Sequence, residues 1–376
     1  MTQTIDLKRL SRRGFLRKAA VVGAAVPLAA GMVSAACYDD PSGRKATLAT
    51  PAAKPPKGDN GSNGNNGTGD TGNGASNGSD DHAQMDIDHK KGIDDFLKNQ
   101  AEPLTKGKGN VALEPRLEGG VKVWDLTVDE VQWETAPGNI EKGRGYNNMI
   151  PGPLLRATEG DTVRINVKNN LTESTAVHWH GIYVPNNMDG VGYLTQEPIK
   201  PGETFTYEFT LRNSGTHMYH AHHNSADQVN RGLLGAFIID PKDPSSYPAY
   251  DKEYVLIMND TMLGFTLNGK GFPATEALTA KKGERVLVRW LNEGMMYHPM
   301  HLHGLTMEVF RRDGYPVEPP FICDNLDVPP GSRFDCIIEA NEPGVWAFHC
   351  HVLSHAENPS GFFGLVTVLV VEDVAV

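Results

Sequence analysis

From Val121 onward the chain alternates apolar and polar residues at the two-residue period of a β-strand. Val121-Lys122-Val123-Trp124-Asp125-Leu126, Thr162-Val163-Arg164-Ile165-Asn166-Val167 and Thr204-Phe205-Thr206-Tyr207-Glu208-Phe209 all read this way, and an apolar strand from Gly232 to Ile239 closes the block. A second block begins near Tyr254 and repeats the scheme at residues 284–290, 306–310, 334–339 and 365–371. Pro, Gly and Asn punctuate the intervals, and long helical periodicity is missing; residues 92–101 predict one short helix. Two β-sandwiches of roughly 130 residues each follow from this pattern. The blocks also echo each other. Asn147-x-x-Ile150-Pro151-Gly152-Pro153 with Glu159-Gly160-Asp161-Thr162-Val163-Arg164-Ile165 recurs loosely as Leu267-Asn268-Gly269 with Lys282-Gly283-Glu284-Arg285-Val286-Leu287-Val288. Each G-[DE]-x-V-x-[IV] strand precedes a histidine cluster, and each block ends on another, so one sandwich has been duplicated.

The region before the strands has a different composition. Ser11-Arg12-Arg13-Gly14-Phe15-Leu16, followed by an apolar run from Ala19 to Ala36, resembles a twin-arginine export signal, so residues 1–36 are set aside from the fold. Residues 37–105 read as a flexible linker rich in Gly, Asn and Ser, with His82 and His89 expected in a solvated stretch. The sandwiches are then expected at 106–242 and 243–376. Cys37 resembles the lipid-bearing first residue of a mature lipoprotein; cleavage after Ala36 without lipid is the alternative. The expected location is periplasmic or cell-surface. A net charge of −11, with no basic stripe beyond residue 18, excludes nucleic acid as a partner class.

Chemistry concentrates in the histidines. Ten of the 14 fall in four clusters: His178-Trp179-His180, His220-Ala221-His222, His298-Pro299-Met300-His301-Leu302-His303 and His349-Cys350-His351-Val352-Leu353-Ser354-His355. In a strand, residues i and i+2 share a face. Cys350 therefore points one way while His349 and His351 point the other, and one peptide can serve two metal centres. Thiolate with imidazole is the ligand set of a blue-copper site. Structural zinc sites usually show C-x2-4-C pairs, and there is none. Cys323 and Cys336 flank Val328-Pro329-Pro330-Gly331, so a turn can pair them as a disulfide; two separate thiols is the equal alternative.

These four ordered motifs resemble the multicopper oxidase family, specifically its two-domain, laccase-like members, over about residues 110–376. The resemblance implies an all-β fold of two cupredoxin-like Greek-key sandwiches carrying about four coppers per chain. His298, Cys350 and His355 would hold the type 1 copper that takes electrons from substrate. His178 and His301 would hold the type 2 copper, and His180, His220, His222, His303, His349 and His351 the type 3 pair. Asp189, in Met188-Asp189-Gly190-Val191, matches the acid expected to deliver protons to reduced oxygen, although Asp-Gly is also an ordinary turn signal. His217 and His223 fall outside the ligand count and are expected to pack or to support the ligands. The implied reaction oxidises a small reductant, phenolic or aromatic, by single electrons and reduces dioxygen to water.

Two departures from the family pattern stand out. The loop after His355 is two residues longer than usual, and Phe362 takes the place of the weak axial methionine, so a three-coordinate type 1 site of raised potential is expected. The first block has no cysteine beside its histidines, so each chain is expected to carry one type 1 site, in the second sandwich. With only two sandwiches, the resemblance implies that the two histidine sets meet across neighbouring subunits, as in a closed trimer. Rival readings are a Cu(I) or Fe(II) oxidase, a non-turnover copper-binding protein, and a copper nitrite reductase. Met295, Met296 and Met300 beside His298 suit Cu(I), yet core packing is the expectation for them. A nitrite reductase would carry its type 1 cysteine in the first sandwich.

Overall fold

Every strand anticipated from alternation forms, and the computed structural model describes residues 78–373. The export signal, Cys37 and the linker up to residue 77 lie outside the described residues. The chain enters through a helix, α1 (Gly78–Ala101). The first sandwich then comprises β1 (Arg116–Glu118), β2 (Val121–Ala136), β3 (Asn139–Tyr146), β4 (Leu155–Thr158), β5 (Thr162–Asn169), β6 (Val177–His180), β7 (Thr204–Thr210), β8 (Gly215–Ala221) and β9 (Leu234–Asp240). One sheet has the order β1-β2-β5-β7 with β3 paired to β2; the other has the order β4-β9-β8-β6.

The second sandwich contains β10 (Lys252–Thr261), β11 (Gly264–Leu267), β12 (Leu278–Lys281), β13 (Arg285–Asn292), β14 (His298–Leu302), β15 (Met307–Arg312), β16 (Tyr315–Cys323), β17 (Asn325–Val328), β18 (Arg333–Glu339), β19 (Gly344–Cys350) and β22 (Val366–Glu372). A small hairpin, β20 (Glu357–Asn358) with β21 (Gly361–Phe362), precedes the last strand. Its sheets have the orders β11-β10-β13-β18-β15-β16 and β12-β22-β19-β14-β17.

The duplication read from sequence is visible strand for strand. In each sandwich the first long strand pairs in parallel with the strand of the shared motif, β2 with β5 and β10 with β13. Asn147 and Asn268, the asparagines of the repeated motif, both sit at positive φ, 52° and 49°. Each side chain accepts from a β-strand amide, Thr127 N at 2.7 Å and Ile257 N at 2.9 Å, and clamps the start of its domain in the same way. Left-handed backbone favours Asn over most residues, which explains why this letter recurs.

The apolar faces of both sheet pairs bury separate cores, around Trp124, Trp179 and Phe237 in one sandwich and Trp290, Phe348 and Leu369 in the other. Ile257 and Leu291 of the second sandwich join the first core, so the two are packed together. Buried Arg289 on β13 locks this junction: it donates to Glu253 at 2.5 Å, to Asp335 at 3.1 Å and to Thr216 of the first sandwich at 2.8 Å. A buried guanidinium needs such partners, because an uncompensated charge there would cost several kcal/mol.

Two sequence expectations need correction. The short helix expected at residues 92–101 forms, but it begins at Gly78, inside the supposed flexible linker, and His82 and His89 lie on it. Phe96 supplies the reason: it stacks on Phe272 at 5.1 Å and is buried with Ala356 and Val366. His89 packs over Gly361 of the small hairpin, where an added Cβ would come within 3.1 Å of the helix backbone. The disulfide alternative also falls. Cys323 faces Met307 and Cys336 faces Val309 from opposite sides of β15, and both remain thiols. Strands two places apart are separated by about 10 Å, beyond disulfide reach.

Candidate metal centres

The edge of β14–β19 builds the first centre. Met300 is directly opposite Cys350 in this antiparallel pair, and His301 is opposite His349. Alternation turns His298, Met300 and Cys350 into the core and His301, His349 and His351 outward, as the H-C-H pattern requires. A short turn, Leu353–His355, brings His355 back beneath the strand. The Cys350 sulfur then sits 3.7 Å from Nδ1 of His298 and 3.7 Å from Nδ1 of His355. The two rings are 5.3 Å apart and nearly perpendicular, and all three side chains are buried.

Sequence reasoning missed the residue that orients this site. Asp260, at the end of β10, accepts from Nε2 of His298 at 2.8 Å and from the amides of Met295 and Met296 at 2.8 and 2.7 Å. A proton on Nε2 leaves the Nδ1 lone pair facing the thiol. Burial would raise the Asp260 carboxyl, but these hydrogen bonds outweigh it and hold its pKa below the usual carboxylate value. A glycine at position 294 is required because a Cβ there would fall 2.5 Å from the Asp260 carboxylate.

The outward histidines form two patches. On the first sandwich His178 lies opposite His220, and rings of His180 and His222 complete a group of four with centroids 5.4–6.1 Å apart. Ligand atoms of His178, His180 and His220 lie within 4.8 Å of one another. Burial drives the His180 pKa down to about 3, with Arg333 adding to it, and the His220 pKa to about 4, so both stay neutral with lone pairs available. On the second sandwich His301, His303, His349 and His351 pack with centroids 4.8–5.9 Å apart. Among the described residues no ring of one patch neighbours a ring of the other.

Asp189 stands beside the first patch. His178 Nδ1 donates to its carbonyl at 2.8 Å, and the carboxylate oxygen is 3.4 Å away, in a shallow cleft with Tyr183, Val184 and Arg212. The turn is more than punctuation: Gly190 takes φ +86° and presses against the Val177 carbonyl, where any side chain would collide at 1.8 Å. His217 is fully buried behind the first patch, its pKa driven down to about 3 by burial and then by Arg333. His223 packs at 5.8 Å against Tyr193.

Two further expectations meet the geometry. Phe362 is 37% exposed and turns edge-on to Phe272 at 6.0 Å. Met300 is buried as expected, but Met295 and Met296 are 56% and 39% exposed, so core packing is wrong for these two. The turn that ties their amides to Asp260 directs their side chains to the surface.

The donors suit copper. Burial lifts the Cys350 thiol to about 11, and a soft divalent or monovalent metal between it and two imidazole lone pairs would stabilise the thiolate. The comparisons agree. Two models described as multicopper oxidase match residues 127–244 and 247–372. A copper resistance protein A homolog of Pseudomonas syringae pv. tomato is 31% identical over 281 residues, covering 57% of this chain and 47% of that protein. Laccase-1 of Thanatephorus cucumeris is 32% identical over 267 residues, covering 60% of this chain and 45% of the enzyme. The chain thus spans about half the length of the curated relatives it matches. The crystal structure of a blue copper oxidase from Nitrosomonas europaea aligns with a TM-score of 0.63 at 29% identity, covering 67% of this chain and 86% of that one.

Proposed function

Since this chain belongs to the multicopper oxidase family, we propose that it couples one-electron oxidation of small reductants, phenols and aromatic amines foremost, to four-electron reduction of dioxygen to water. The observation that carries this reading is Cys350, its sulfur 3.7 Å from two imidazole nitrogens while its neighbours His349 and His351 point the other way, into the outward patch of the second sandwich. Copper held there supplies the redox chemistry, about four ions per chain. In this reading His298, Cys350 and His355 are the substrate-side ligands. His178 and His301 hold the type 2 ion; His180, His220, His222, His303, His349 and His351 hold the type 3 pair. Phe362 offers no donor atom, so His298, Cys350 and His355 would be the three strong ligands of a type 1 copper.

The protein's own groups do the rest. Asp260 fixes the His298 tautomer, and the buried setting of Cys350 excludes water from the thiolate. Asp189, in contact with His178 and open to solvent, holds and passes the protons that dioxygen reduction consumes. Each histidine patch offers four imidazoles, half of a set of eight, so the oxygen-reducing centre is completed by a neighbouring subunit, with a homotrimer as the closed form. The twin-arginine-like leader supports export to the periplasm or cell surface, and Cys37 a lipid anchor there.

A second reading, oxidation of Cu(I) or Fe(II), has one observation in its favour. Met262, Met295 and Met296 are 53%, 56% and 39% exposed on loops that meet at Asp260, and thioethers suit Cu(I). The test of the main reading is copper content with dioxygen uptake on copper-loaded protein. About four coppers per chain with phenol-dependent uptake supports it; one or two coppers without uptake defeats it. Replacing Met295 and Met296 by Ala separates the substrates: selective loss of Cu(I) oxidation favours the metal, equal rates the phenol.

A further inference from the structure

The loop of residues 191–196 carries the two most exposed large apolar side chains among the described residues, Leu194 at 79% and Tyr193 at 74%. Single exposed apolar residues are ordinary, but this adjacent pair is held out by the backbone. Tyr193 has φ +66°, a left-handed conformation that a bulky side chain rarely adopts and that persists only where its surroundings enforce it. The loop enforces it with its own hydrogen bonds. Tyr193 N donates to the Gln196 carbonyl at 2.7 Å, Thr195 N to the Val191 carbonyl at 2.9 Å, and Val191 N to the Thr195 hydroxyl at 2.8 Å. The Tyr193 ring lies 5.8 Å from His223, and a Cβ on Gly192 would come within 3.0 Å of the same imidazole. Strain of this kind marks a segment kept for a use other than folding.

The loop stands at the border of the first histidine patch. His223 follows His222, and the turn that leads into the loop receives His178 through the Asp189 carbonyl. The second patch has a matching border. Leu353, 54% exposed, lies two residues after His351; Ile322, 70% exposed, lies two residues before Asp324, whose carbonyl accepts from His301. Within one chain the rings of the two patches are not neighbours. On the shared-centre reading given above, the other half of the first patch comes from the second patch of another copy. A copy that supplies it must also land beside Tyr193 and Leu194, with an apolar border of its own.

We propose that Tyr193 and Leu194 are the anchor of this junction, seated against Ile322 and Leu353 of the partner subunit. The contact is heterologous, one border of one chain on a different border of the next. A rigid aromatic beside a branched aliphatic chain suits the centre of such an interface, because little side-chain freedom is lost when it is covered. The inference rests on the shared-centre reading, and the experiment separates the two.

Light scattering over a range of concentrations gives the mass of the full copper-loaded chain and of its variants, alongside the blue absorption band and dioxygen uptake. Wild type is expected to be oligomeric. Leu194→Glu, which sets a charge in the contact, should weaken association at least about 30-fold, the loss typical of an interface anchor. The blue band should persist in the dissociated protein, and dioxygen uptake should disappear on dilution and return on concentration. Tyr193→Gly removes the ring while suiting the left-handed backbone, so it tests the anchor without burdening the fold; it should weaken association in the same direction. Ile322→Glu should dissociate the protein as Leu194→Glu does, whereas Leu117→Glu, at a residue 72% exposed on β1, should leave the mass at the wild-type value. A monomeric wild type with full uptake would overturn the shared-centre reading and the anchor together. An oligomeric wild type whose mass is unchanged by both Leu194→Glu and Tyr193→Gly would overturn the anchor alone, and an Ile322→Glu protein of wild-type mass would overturn its assigned seat.

Discussion

Asp260 shows where residue-level chemistry escapes the sequence. The candidate ligands stood out because H-x-H and H-C-H steps in strands declare their own faces, but the acid that aims His298 comes from a strand 38 residues earlier. No local pattern links the two; only the fold's loop geometry does. Asp260→Asn keeps the shape and removes the charge that strengthens His298 as a donor. It is expected to weaken metal binding at the Cys350 site on the order of 10–100-fold, read by chelator titration of the blue absorption band. An unchanged titration would show that His298 orients itself. Glu293 carries a second residue-scale expectation. Burial raises its pKa to about 8, with Arg333 opposing, and Oε1 has no partner. The folded state therefore holds a proton that the unfolded state releases near pH 4.5. Since stability falls with pH wherever the folded state binds more protons, Glu293 costs stability progressively from about pH 4.5 to about pH 8. Glu293→Gln should gain up to a few kcal/mol at pH 8 and almost nothing at pH 4, by urea denaturation. A gain equal at both pH values would refute the ionisation argument.

At the scale of elements, strands were read well and the helix only over its second half, for one physical reason. A strand that covers a core writes its period into the sequence. Helix α1 has a mostly polar surface and is held through few side chains, chiefly Phe96 on Phe272, so its apolar signal is thin. The longer loop after His355 was noticed, but its use was not: it forms the β20–β21 hairpin against which α1 rests. The same limit applied to Cys323 and Cys336, where a plausible turn hid the strand that runs between them. Phe96→Ala should remove about 3 kcal/mol of docking energy and raise the undocked population on the order of 100-fold. Hydrogen exchange would then speed up in residues 85–100 while the sandwich strands keep their protection. Protection of α1 that stays at its wild-type level would mean that other contacts dock the helix.

For the whole molecule, the central fact is that one chain carries two four-histidine patches on different sandwiches whose rings are not neighbours. If a head-to-tail ring brings the first patch of one subunit against the second patch of the next, each oxygen-reducing centre draws on two chains. Damage to either patch is then complementable. His220→Ala spoils the first patch and His349→Ala the second, so each protein alone should take up no dioxygen. Unfolded together in equal amounts and reassembled with copper, the two should regain about a quarter of wild-type uptake, because a junction works only when an intact first patch meets an intact second one. That fraction does not depend on the number of subunits in the ring, so it tests shared sites without presuming a trimer. Centres built within a single chain would leave the mixture as inactive as its components. Recovery near one quarter would instead make the subunit junction, which the two-sandwich layout foreshadows, the place where dioxygen is reduced.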